Sequence, residues 1–93
     1  MDAYSVLKLS PSATVEEIRT AYRTLVRRHH PDRPDGDELV FLRVQAAYQL
    51  LIDPESRAAH DKDPETTLEA RMAAERRRRQ LSRRRSRLRK LYD

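Results

Sequence analysis

His29-His30-Pro31-Asp32-Arg33-Pro34-Asp35-Gly36-Asp37 is the stretch that decides how this chain folds, because it separates two amphipathic helical patterns. Before it, Val15, Ile18, Tyr22, Leu25 and Val26 recur at three- and four-residue steps. After it, Val40, Phe41, Val44, Ala47, Tyr48 and Leu51 do the same. Each run predicts a helix with one buried face. The segment between them carries two prolines and Gly36, the one glycine of the chain, so it reverses direction and joins an antiparallel pair. His30, Pro31 and Asp32 therefore stand at the tip of a helical hairpin. Taken alone, the triplet reads as readily as a helix stop, a turn proline and an exposed aspartate cap.

Start and stop signals extend the pattern outward. Asp2 to Leu9 predicts a short first helix, with Tyr4 and Leu7 facing the hairpin and Ser10-Pro11 ending it. Thr14 with Glu17 three residues later reads as a capping box that opens the second helix, worth on the order of 1 kcal/mol. Asp37 caps a third helix that runs to Ile52, and Asp53-Pro54 restarts a fourth. Asp63-Pro64-Glu65 repeats that signal and divides a domain at 1–63 from an Arg-rich helical tail at 64–93. From Pro64 to Tyr92 there is no internal proline or glycine, and one helix of about 29 residues would extend roughly 43 Å. Ala74, Leu81 and Leu88 lie heptads apart, but Arg77 and Arg84 interrupt that coiled-coil seam.

Composition sets the class. The chain has 93 residues, 38% hydrophobic and 5% aromatic, which favours an all-α fold and argues against a large sheet or a buried ligand cavity. Without cysteine, neither a disulfide framework nor a thiolate zinc site can form. An acidic second residue and the lack of an uninterrupted apolar run argue against a signal peptide and a membrane span, and the expectation is a cytoplasmic protein. His29, His30 and Asp32 are sequence neighbours whose side chains diverge, and His60 is distant, so no metal site is expected. No glycine-rich phosphate loop and no nucleophile with a positioned base stand out. The expectation is no catalytic residue, no cofactor and no enzymatic activity.

The five blocks together resemble the J domain, the module of DnaJ-like co-chaperones. Asp2, Tyr4 and Leu7 are similar to the family's first helix, Ile18, Ala21, Tyr22, Arg23 and Leu25 to its second, and His30, Pro31 and Asp32 to its signature loop. Phe41, Val44, Ala47, Tyr48 and Leu51 resemble the third helix, and Asp53, Pro54, Glu55, Arg57 and Asp61 the fourth. Three positions depart from the family pattern: Lys8 replaces a usual glycine, His29 an aromatic, and His60 a tyrosine. The cysteine-rich zinc region and glycine-rich linker of longer members are missing.

The resemblance implies a helical hairpin flanked by two short helices. It also implies a partner, a DnaK-type heat-shock chaperone whose ATP hydrolysis the module stimulates. Arg19, Arg23 and Arg27, with Arg28 at the loop end, would present a positive face to an acidic surface of that partner. Asp32 would pair with a partner arginine, shaped by His30 and Pro31, while Tyr22, Phe41 and Tyr48 are core residues without a binding role.

Charge is unevenly placed. Residues 1–63 hold nine Lys or Arg against eleven Asp or Glu, a net of −2, whereas residues 64–93 hold eleven against four, a net of +7. In the tail, Arg76, Arg77, Arg78, Arg79, Arg83, Arg84, Arg85, Arg87, Arg89 and Lys90 point to an anionic partner: nucleic acid, a ribosome or an acidic protein. Their mutual repulsion leaves a free tail frayed unless something anionic settles it, and the plain alternative is a solvated tail that aids solubility without a specific ligand. A partner protein would find sparse anchors in Leu68, Met72, Leu81, Leu88 and Leu91. The alternative from another class is a nucleic-acid-binding or adaptor module on a J-like scaffold, without ATPase stimulation.

Overall fold

A computed structural model describes residues 1–30, 32 and 37–92, with side chains up to residue 81. Among the described residues it is all-α: α1 Ala3–Val6, α2 Val15–His29, α3 Glu38–Ile52, α4 Pro54–Lys62 and α5 Pro64–Tyr92. The hairpin of α2 and α3 forms as the two periodic runs require, and α3 also packs against α1, α4 and α5.

The caps follow from side-chain chemistry. Thr14 Oγ1 accepts from the Glu17 amide at 3.2 Å, and Glu17 Oε1 accepts from the Thr14 amide at 3.3 Å, closing the expected box. Asp37 Oδ1 accepts from the Leu39 and Val40 amides, and Asp53 Oδ2 from the amide and hydroxyl of Ser56 with Pro54 next in line. In α2, Glu16 and Glu17 occupy the first turn and Arg27, Arg28 and His29 the last, matching the helix dipole at both ends. Ile18 and Leu25 are buried under α2. Val15, expected on the same face, is instead 44% exposed at the first position of the helix.

The first helix is shorter than the stretch from Asp2 to Leu9. Asp2 caps it, accepting from the Ser5 amide at 2.7 Å, and it closes at Leu7. The Leu9 amide then donates to Tyr4 O and the Lys8 amide to Ser5 O, the paired bonds of a Schellman stop. That stop needs a left-handed residue, and Lys8 supplies it at φ 60°. The glycine usual to the family at this position is thereby explained.

The fifth helix runs back along α3, from Leu68, 4% exposed in the core, to Arg79 beside Glu38 at the start of α3. The residues facing α3 are Leu68, Met72, Glu75 and Arg79, spaced four, three and four apart on one helix face. Ala74 and Leu81, on the heptad pattern, face solvent, with Leu81 55% exposed. One expectation is corrected. Leu68 and Met72 are packed against the chain's own core, so they are not anchors for a separate protein. Leu88 and Leu91 lie outside the residues whose side chains are described.

Polar bonds tie both ends of the domain together. His60, fully buried, accepts the Ala3 amide on Nε2 at 3.0 Å, with Nδ1 3.1 Å from Asp61 Oδ1. The Tyr4 hydroxyl donates to Asp61 Oδ1 and accepts from Arg57 Nε, both at 2.9 Å. Arg57 Nη2 donates in turn to the carbonyls of Pro11 and Ala13, fixing the connection into α2. Burial pushes the Tyr4 phenol above its ordinary pKa; Arg57 opposes that shift and Asp61 adds to it.

Two stability predictions follow from the caps and the stop. Lys8→Gly relieves a left-handed side chain worth roughly 1 kcal/mol after glycine's own entropy cost, so the thermal midpoint rises by about 4–8 °C; an unchanged or lower midpoint contradicts this account. Asp2 and Asp53 are held below their ordinary 3.8 chiefly by the backbone amides of Ser5 and Ser56. Folding favours their charged forms, so the stability they add is complete above 3.8 and is lost as pH falls through the lowered folded-state values. Thermal midpoints between about pH 5 and about pH 2 therefore fall less steeply in an Asp2→Asn, Asp53→Asn variant, whose asparagines cap without titrating.

Candidate functional site

Helix α2 delivers Arg19, Arg23 and Arg27 to one exposed side. Arg19, Arg23, Arg27 and Arg28 are all exposed, and the first three rise along the helix over about 12 Å toward the hairpin tip. Arg23 Nε donates to the carbonyl of Arg19 at 3.5 Å, holding that side chain along the helix axis. The stripe read from the sequence is thus assembled on a single element.

At the tip, His30 leaves helical geometry as the C-cap of α2, with φ −59° and ψ 134°. Its Nδ1 accepts the Asp32 amide at 3.2 Å and lies 3.6 Å from Asp32 Oδ2. Accepting that amide places the proton of a neutral ring on Nε2, a tautomer assigned from the bonding pattern. The Asp32 side chain is 92% exposed. A backbone held by the histidine and a carboxylate left in water make an acceptor ready for an external cation. Pro31 lies outside the described residues.

Sequence reasoning gave Phe41 no part in this tip. Phe41 is buried, as expected, but its ring also meets the His30 ring edge-on at 5.4 Å and 62°. On it lies the Arg79 guanidinium, 5.1 Å from the ring centre, with Nε 3.4 Å from Glu38 Oε1. Arg79 of α5 is therefore engaged internally. No signal at the level of spacing marks this, because a phenylalanine on an apolar stripe and an arginine in a basic run both have ordinary explanations. Tyr22 and Tyr48, read as core, are only half-buried and stack on each other at 4.0 Å.

In the tail, Arg76, Arg77 and Arg78 are exposed, and Arg79 is turned inward. Glu75 is 4% exposed, with Arg71 Nε at 3.5 Å and Arg78 Nη1 at 3.8 Å from its Oε1. Part of the repulsion expected among the arginines is thus offset by Glu75 and Glu38. The helical backbone continues to Tyr92, while the side chains of Arg83, Arg84, Arg85, Arg87, Arg89 and Lys90 lie outside those described.

Comparison with known proteins agrees with this architecture, since residues 2–61 match the family model described as DnaJ domain. The chain belongs to the DnaJ domain family. It is 45% identical over 65 residues to "Chaperone protein DnaJ" of Chlamydia pneumoniae, covering 67% of this chain and 17% of that protein. The protein of the same name from Anaplasma marginale (strain Florida) is 42% identical over 64 residues, covering 66% of this chain and 17% of that one. "Translocation protein SEC63 homolog" of Homo sapiens is 52% identical over 54 residues, covering 58% of this chain and 7% of that protein. The similarity spans under a fifth of each relative's length. No helix among the described residues is long and apolar enough to cross a membrane.

Proposed function

We propose that this chain is a co-chaperone that docks on a DnaK-type heat-shock chaperone and stimulates its ATP hydrolysis. The observation that carries the reading is the Asp32 carboxylate, exposed at the end of the α2 arginine stripe while His30 holds its backbone. Arg19, Arg23, Arg27 and Arg28 steer the encounter with an acidic partner surface, giving weak, fast and salt-sensitive docking. Asp32 then pairs with a partner arginine. The chain breaks no bond itself; it acts by binding the hydrolysing conformation of the partner better than the resting one. His30 and Pro31 present the carboxylate.

The arginines of α5 beyond its packed turns serve as a targeting element toward an anionic surface: nucleic acid, a ribosome or an acidic protein. The run of exposed arginines opens already within those turns, at Arg76 and Arg77, and its charge supports that role. The cytoplasm is the compartment this reading assigns. A nucleic-acid-binding module without stimulation is the competing reading, and Asp32 separates the two.

Single-turnover ATP hydrolysis by a DnaK-type chaperone tests the proposal. The wild-type chain accelerates turnover, and Asp32→Asn loses roughly tenfold or more of that effect, the worth of one charge-assisted bond. Stimulation declines as salt is raised. Nucleic-acid retention on filters stays unchanged in the variant. Equal stimulation by both chains, or none by either, rejects the proposal.

A further inference from the structure

Arg79 belongs by sequence to the basic tail, but its contacts are with the hairpin tip. Its side chain is 27% exposed, and its charge is engaged within the chain by Glu38 at 3.4 Å and by the face of Phe41. Phe41 is in turn the wall against which the His30 ring stands. His30 has left the helix, and its Nδ1 receives the Asp32 amide. A continuous physical path thus runs from α5 through two aromatic contacts to the loop backbone. Arg79 makes no described contact with Asp32 itself.

We propose that Arg79 is a positioning residue for the docking loop: by capping the Phe41 ring and pairing with Glu38, it fixes the His30 ring that carries the Asp32 backbone. This deepens the co-chaperone reading and rests on it for its functional consequence. The mechanism is orientational. With Arg79 in place, the Phe41 ring is covered on one face by the guanidinium and met at close range by the histidine, so its side chain holds one orientation. Without it, the ring gains room beside the first turn of α3, the His30 ring loses a fixed wall, and the Asp32 amide follows an acceptor that moves. A loop that must be ordered on binding docks less tightly than one ordered beforehand. The first turns of α5 are then part of the docking apparatus, and the targeting role falls to the arginines beyond them.

The test compares Arg79→Ala, Arg79→Gln and Arg79→Lys with a charge-loss control, Lys62→Ala on α4, each checked for folding by circular dichroism. Arg79→Gln keeps much of the reach without the planar cation, so it serves should the alanine variant fail to fold. Nuclear magnetic resonance reads the ring-current shift of the His30 ring protons and the Asp32 amide, with Phe41→Leu as the reference for a lost ring. The expected result is that Arg79→Ala and Arg79→Gln move the His30 signals toward the Phe41→Leu values and lower single-turnover stimulation roughly three- to tenfold, the scale of one cation–aromatic contact. Arg79→Lys recovers part of both, and Lys62→Ala matches the wild type. Unchanged His30 and Asp32 signals in a folded Arg79→Gln variant overturn the proposal, as do shifted signals with full stimulation. If the wild-type chain itself fails to stimulate, the co-chaperone reading falls, while the His30 signals still decide whether Arg79 positions the loop.

Discussion

Helix α3 is the constraint on which the rest of the molecule depends. Phe41, Leu42, Val44, Ala46, Ala47, Leu50 and Leu51 are buried around most of its circumference, so no single partner helix could cover it. Burying each large side chain contributes about 1.5–3 kcal/mol, and that gain is available only when α1, α2, α4 and α5 all close over it. Ala46 and Ala47 are wholly buried, and their small size lets the neighbouring backbones come near. The hairpin alone would leave one side of this helix wet, which is why the first turns of the Arg-rich segment belong to the folded body.

What could be read from the sequence was what is locally encoded. Thr14 with Glu17, Asp37, and Asp53 with Pro54 announce their helix starts because a cap needs only residues within one turn. The hairpin and the arginine stripe on α2 were likewise legible, since period and spacing determine both. The register of α5 was not. Its inward stripe of Leu68, Met72, Glu75 and Arg79 contains two charged residues that bury their stems while their heads find partners, so it does not register as an apolar face. Leu68 and Met72 stood out only as sparse apolar anchors beside Leu81, which faces water. The length of α1 was missed for a different reason: its stop depends on a backbone conformation that lysine seldom adopts.

The departures from the family pattern become intelligible as local chemistry. A histidine at position 60 brings a ring nitrogen to the Ala3 amide, a group that would otherwise be buried at the start of α1 without an acceptor. Its other nitrogen lies against Asp61, which also receives the Tyr4 hydroxyl, so one short segment of α4 satisfies both α1 and the strap formed by Arg57. A buried polar network is favourable only when its members are paired, and here each imidazole nitrogen has a partner. The bonds from Ala3 to His60 and from Tyr4 to Asp61 join residues 57 positions apart in sequence, beyond the reach of any periodicity argument.

The tip divides its labour between a restrained backbone and a free side chain. Asp32 carries its carboxylate 92% exposed, so its charge remains hydrated, and little is lost by leaving it unpaired until a partner arrives. Burying it against a neighbouring arginine would have cost desolvation of both charges and removed the acceptor. On the proposed reading, the contact of His30 with the Asp32 amide lowers in advance the cost of fixing that residue on binding. The aromatic wall at Phe41 extends that restraint into α3 and α5. An exposed recognition charge on a loop anchored to the core suits a protein that must associate weakly, orient correctly and dissociate again. On the same proposed reading, affinity would come from a small exposed surface, and the geometry that discriminates between partner states from the packing behind it.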